Sequence, residues 1–318
     1  MNGGPTVGIA LGGGAARGWA HIGVIEALAE RGVVPQVVSG ASIGALVGAA
    51  MAGGKLADLK TWVLGLRRLD VLKLLDASLG AGVIEGNRVM HAVEQILSDR
   101  DIGELHQPFG AVATDLERGR TVWLREGSTI AAVRASCALP GLFPPTRMGD
   151  SWLVDGGLVD PVPVTLCRML GADVVIAVNL SAYRHRLSAA RVSAGAAVPR
   201  GVADAGAARE AQPDAVSREE GSYVERMQKL VKGLFDSTSD VEWQPGLLDV
   251  VSSAITIMQE RVTRSRLAGD PPELEIAPEV QDIGLMDFHR AALAVARGER
   301  AVEERALELS RLLPDPAG

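Results

Sequence analysis

Cysteine is scarce: Cys137 and Cys167 are the only two among 318 residues. So few exclude a disulfide framework and suit a reduced cytosol. Positive charge is not in excess either. The formal net charge is −7 at pH 7, which argues against general nucleic-acid binding. No uninterrupted apolar run reaches the ~18 residues that a transmembrane helix needs. The opening MNGGPTVGIALGGG has neither the basic start nor the long apolar stretch of a secretion signal. These absences lead us to expect a soluble cytoplasmic protein. The rest is ordinary globular composition, 47% hydrophobic and 22% charged. The chain is long enough for one large α/β domain or two small ones.

Strand signals and helix signals alternate. TVGIAL is a short apolar run closed by glycines and predicts a buried strand. After it, Ile22, Ile25, Leu28 and Ala29 recur at helical spacing from His21 to Arg31. QVVSG predicts a second strand with a helix starting at once after Ser42. Two strand, glycine turn and helix units within the first 55 residues point to a parallel sheet with crossover helices. FGAVATDL and RTVWL read as a strand pair, ADVVIAVNL as a buried strand and ELEIAP as a last strand. A long helix is expected from Asp287 to Leu312.

We expect a single domain over 1–318 carrying a flexible insertion at about 184–221, where Ala, Arg, Gly and Ser dominate without periodicity. A C-terminal helical part follows at about 223–318. Within it, Tyr223, Val224, Met227, Leu230, Val231, Leu234 and Phe235 share one helical face, with Arg226, Lys229 and Lys232 mostly on the other. Such a basic amphipathic helix suits peripheral contact with the inner face of an anionic membrane. It equally suits docking on the protein's own core or on a second subunit of a homo-oligomer.

Three stretches carry chemistry. GGGAARG, Gly12 to Gly18, follows the first strand; a glycine turn leading into a helix presents free N–H groups that cradle phosphate or stabilise an oxyanion. It is not the dinucleotide fingerprint, because, counting back from Gly18, the third position of G-x-G-x-x-G is Ala15 rather than glycine. The second stretch is GASIG, with Ser42 between Gly40 and Gly44. This spacing fits a nucleophile on a sharp strand-to-helix turn, and fits close helix packing as well. The third is WLVDGGLVDPVP, in which Asp155 ends an apolar run before two glycines. An acid placed there serves as a base aimed into a cleft, or as an ordinary turn residue.

Together these stretches, in this order and spacing, resemble the patatin-like phospholipases. RASCALPGLFPP (Arg134 to Pro145) is similar to a segment the family carries before its aspartate. The wider match resembles the bacterial branch related to the esterase domain of neuropathy target esterase.

The resemblance implies a three-layer α/β/α fold around a mainly parallel sheet. It also implies a serine hydrolase of lipid or ester substrates that works with a Ser-Asp dyad and without cofactor or metal. In that reading Ser42 is the nucleophile and Asp155 the base. The N–H groups of Gly13, Gly14 and Ile43 meet the oxyanion, and Arg17 supports the glycine loop. Ala15 stands where the family commonly has a glycine. Two alternatives stay open: a Ser-Asp-His triad drawing on His185 or His289, which follow Asp155 in the chain, and a non-catalytic regulatory module on the same fold.

Overall fold

The computed structural model describes residues 4–74, 87–140, 142–181 and 247–312. The expected insertion at 184–221 and the amphipathic stretch 223–235 lie outside these residues.

Eight strands form one sheet: β1 (Val7–Leu11), β2 (Val37–Ala41), β3 (Phe109–Asp115), β4 (Arg120–Leu124), β5 (Thr146–Met148), β6 (Ser151–Asp155), β7 (Val174–Val178) and β8 (Leu274–Ile276). The run β3-β2-β1-β7-β8 is parallel throughout. β4 and β6 pair antiparallel with β3, and β5 pairs antiparallel with β6. The sheet is therefore mixed and mainly parallel, with helices packed on it, in the α/β class that the sequence led us to expect. β1 is buried at every position. Because side chains alternate between faces, Ile9 and Leu11 join one core while Ala10 joins another with Val164, Cys167 and Val175.

Among the described residues the helices are α1 (Ala20–Glu30), α2 (Ile43–Ala52), α3 (Leu56–Gly65), α4 (Arg68–Leu74), α5 (Asn87–Leu97), α6 (Thr129–Ser136), α7 (Val164–Met169), α8 (Leu247–Gly269), α9 (Ala291–Glu303) and α10 (Ala306–Leu312). α2 is apolar all round and buries every residue except Met51, as expected of a helix inside the core. α6 is capped by Ser128, whose side chain accepts the N–H of Ala131.

The long helix expected from Asp287 to Leu312 is broken. A 3-10 turn covers Phe288–Arg290, and α9 and α10 are separate. At the break, Arg305 N–H bonds the Val302 carbonyl three residues back rather than four, so the helical ladder tightens and ends.

The register of β3 sets up the site. β2 ends with Ala41 opposite Val112, and β6 ends with Asp155 opposite Ala113. Two strands far apart in sequence thus finish at neighbouring residues of a third.

Candidate active site

Ser42 is the one residue between the end of β2 and the start of α2. Its backbone, φ 54° and ψ −126°, lies in a region that residues with a Cβ seldom occupy. Both flanking glycines are required by close approach. A Cβ on Gly40 would stand 2.4 Å from the Gly44 carbonyl oxygen, and one on Gly44 would stand 2.1 Å from that of Leu11. The packing reading and the nucleophile reading of GASIG thus describe one turn. Tight packing of helix on sheet is what leaves the serine projecting from the bend.

Asp155, fully buried at the end of β6, receives that serine. Ser42 Oγ–H donates to its Oδ2 at 2.5 Å, and Gly157 N–H donates to its Oδ1 at 2.7 Å. Burial lifts the Asp155 carboxyl to about 6, against the opposing pull of these two hydrogen bonds. Its main chain is held too: Asp155 N–H donates to the Ala138 carbonyl at 2.9 Å, and Thr114 Oγ1–H donates to the Asp155 carbonyl at 2.8 Å.

The glycine loop lies beside the serine, and a Cβ on Gly13 would be 3.6 Å from that of Ser42. Gly13 itself departs from expectation. Its N–H donates to the Pro161 carbonyl at 2.9 Å, where the sequence reading has it free to meet an oxyanion. The N–H groups of Gly14, Ala15 and Ile43 have no acceptor among the described residues. Ala15 adopts φ 48°, the left-handed conformation that favours glycine.

Arg17 braces the loop: its Nε–H donates to the Ile283 carbonyl at 2.9 Å, while Ala16 N–H bonds the Leu285 carbonyl at 3.1 Å. Burial lowers the Arg17 pKa, and nearby Asp282 opposes that.

No histidine among the described residues hydrogen-bonds Ser42 Oγ or the Asp155 carboxylate. His21 is buried below the loop with Nε2 2.7 Å from the Gly12 carbonyl oxygen. Because a carbonyl only accepts, Nε2 carries the hydrogen. Burial depresses this imidazole to about 4. His289 accepts from Arg68 Nε at 3.1 Å, and His185 lies outside the described residues.

Two features had no sequence signal strong enough to single them out. The first is a cavity lined by Ser42 and walled almost wholly by apolar side chains, among them Trp19, Trp62, Leu66, Met90, Phe143 and Phe288. Trp19 packs edge-on against both Trp62 and Phe288, with ring centroids 6.5 and 5.9 Å apart. Its lining comes from segments spread between Ala15 and Phe288, so no local pattern announces it. The second is Ser136, whose Oγ accepts the N–H of Ser42 at 2.9 Å. An isolated serine in RASCALPG carries no motif of its own.

A serine hydroxyl on a buried carboxylate, N–H groups without an acceptor among the described residues and an apolar cavity together suit acyl transfer from an apolar acyl group. Comparison with known proteins agrees in kind. The patatin-like phospholipase family model matches residues 9–168. An uncharacterized NTE family protein of Mycobacterium bovis is 34% identical, over 96% of this chain and 92% of its own length. The mouse patatin-like phospholipase domain-containing protein 7 is 33% identical over 56% of this chain, a match that spans 14% of the mouse protein. The solved structure of VipD from Legionella pneumophila aligns with a TM-score of 0.54 at 17% identity. That alignment covers 94% of this chain and 66% of VipD, and it supports the fold.

Proposed function

Because the chain belongs to the patatin-like phospholipase family, whose members are lipid hydrolases, we propose that it cleaves carboxylic esters of lipids with a Ser42–Asp155 dyad. The observation that carries this reading is the 2.5 Å hydrogen bond from Ser42 Oγ to Asp155 Oδ2, made by a serine on a strained strand-to-helix bend.

Ser42 Oγ attacks the ester carbonyl carbon as its proton passes to Asp155. An ordinary carboxylate is a poor base for a serine hydroxyl; a carboxyl lifted to about 6 is better matched to the task. The carbonyl oxygen becomes an oxyanion facing the N–H groups of Gly14, Ala15 and Ile43, at the positive end of α2. Each such donor typically lowers the barrier by roughly 2.7–4 kcal/mol. As the carbon–oxygen bond breaks, the alcohol leaves with the proton held by Asp155, and the acyl group remains on Ser42. Water then attacks the acyl-enzyme, Asp155 takes its proton, and the acid departs with Ser42 restored. The apolar cavity takes the acyl chain. The basic stretch 223–235 brings the enzyme to an anionic bilayer.

The test is fatty-acid release from a panel of phospholipid vesicles, lysophospholipid micelles and a soluble short-chain ester. We expect turnover on at least one, with a loss of at least ~1000-fold in Ser42→Ala. Joint replacement of Arg226, Lys229 and Lys232 by Gln should reduce only the rate on anionic vesicles. An inert but folded enzyme contradicts the hydrolase reading, and equal losses on vesicle and short-chain ester contradict the membrane contact.

A further inference from the structure

The conformation of Ser42 has to be held in place, since sparsely populated backbone regions persist only where the surroundings over-determine them. Its carbonyl accepts the N–H groups of Ala45 and Leu46 in the first turn of α2. Its hydroxyl is on Asp155. Its N–H is outside the helical ladder and goes to Ser136 Oγ at 2.9 Å. Ser136 is completely buried, and its own hydroxyl hydrogen goes to the Val112 carbonyl at 2.6 Å. The direction of the chain is fixed: Ser42 N–H donates to Ser136 Oγ, and Ser136 O–H donates to Val112.

Val112 is the residue of β3 opposite the end of β2, so the anchor stands next to the bend it restrains. Two residues beyond Ser136, the Ala138 carbonyl accepts the N–H of Asp155 at 2.9 Å. One short stretch at the end of α6 therefore grips the main chains of both Ser42 and Asp155. Neighbours in the same stretch, Val133 and Cys137, line the cavity.

We propose that Ser136 is a positioning residue. It makes no contact with substrate, and its hydroxyl ties the Ser42 backbone to β3 so that Oγ stays on Asp155. This rests on the hydrolase reading above, because the geometry being held is that of the dyad.

The test compares wild type, Ser136→Ala and Ser136→Thr by steady-state kinetics on the soluble ester and by hydrogen exchange of the Ser42 amide, read by NMR. A misplacement of about 1 Å can cost on the order of 100-fold in rate. We expect kcat to fall roughly 10- to 100-fold in Ser136→Ala with KM within about twofold, and Ser136→Thr to recover much of the loss. The Ser42 amide should exchange at least about tenfold faster in Ser136→Ala, while amides of β1 keep their wild-type protection. Unchanged exchange at Ser42, or kcat within twofold of wild type, in a folded alanine variant overturns the proposal. Should that variant not fold, Ser136→Cys is close in size and is judged by the same two readouts. A wild-type protein that is inert, yet shows a Ser42 amide protected only when Ser136 is present, would defeat the hydrolase reading and leave the tether standing.

Discussion

Burial of the Asp155 carboxyl, which suits the base proposed for it, comes at the expense of stability. The carboxyl titrates at about 6 in the folded protein, above the ~3.9 of a free aspartate. Between those values the folded state binds the proton that the unfolded state has released, so stability is lost as pH rises through this window. Above about 6 the buried charge is a constant cost, on the order of 2–3 kcal/mol. Asp155→Asn removes that charge and retains an oxygen for the Gly157 N–H. We predict an Asp155→Asn melting temperature several degrees above wild type at pH 8, a gap that narrows towards pH 4. Its ester hydrolysis should fall by at least ~1000-fold. In wild type, kcat/KM should decline below about pH 6 as the base is protonated. Calorimetry showing Asp155→Asn less stable than wild type at pH 8 would contradict this account. Ser42 and Asp155 were legible in the sequence because their glycine neighbours record local backbone demands. The hydrogen bond of Gly13 was not, since its acceptor Pro161 is supplied by a distant segment. The same holds for Ser136, which meets Ser42 only after β2, β3 and α6 have assembled.

The junction of β2 with α2 is where sequence and packing constrain one another most tightly. A methyl on Gly44 would collide with the main chain of Leu11 at 2.1 Å, and main chain cannot turn aside as a flexible side chain can. Overpacking of this kind typically costs ~1–3 kcal/mol and more where backbone must shift. Gly44→Ala should therefore unfold at markedly lower urea, by at least ~2 kcal/mol. Gly65→Ala is the control, because a Cβ there meets nothing within 4 Å; it should unfold within ~0.5 kcal/mol of wild type. Equal midpoints for the two variants would mean that the junction is looser than described. Strands and crossover helices were readable from apolar runs and helical spacing. The break between α9 and α10 was not, because Glu304 and Arg305 include neither glycine nor proline, and the helix ends through its hydrogen bonding alone.

In the molecule as a whole, the parallel core of the sheet carries Ser42 and the glycine loop, and the antiparallel β6 delivers Asp155. The α/β class followed from alternation of strand and helix signals. The antiparallel pairing of β6, on which the site depends, did not, since no residue in WLVDGG states which strand it will meet. The apolar cavity is likewise a product of assembly, with walls from five helices and the loops between them. All of these parts converge on one hydroxyl, and that hydroxyl can be interrogated directly. Intact-mass spectrometry after treatment with a fluorophosphonate, followed by peptide mapping, should find a single adduct on Ser42. The adduct should be absent in Ser42→Ala and slowed by at least ~100-fold in Asp155→Asn, in line with the loss of a general base. An adduct on Ser39 or Ser136, or no adduct on the folded wild-type protein, would contradict the dyad.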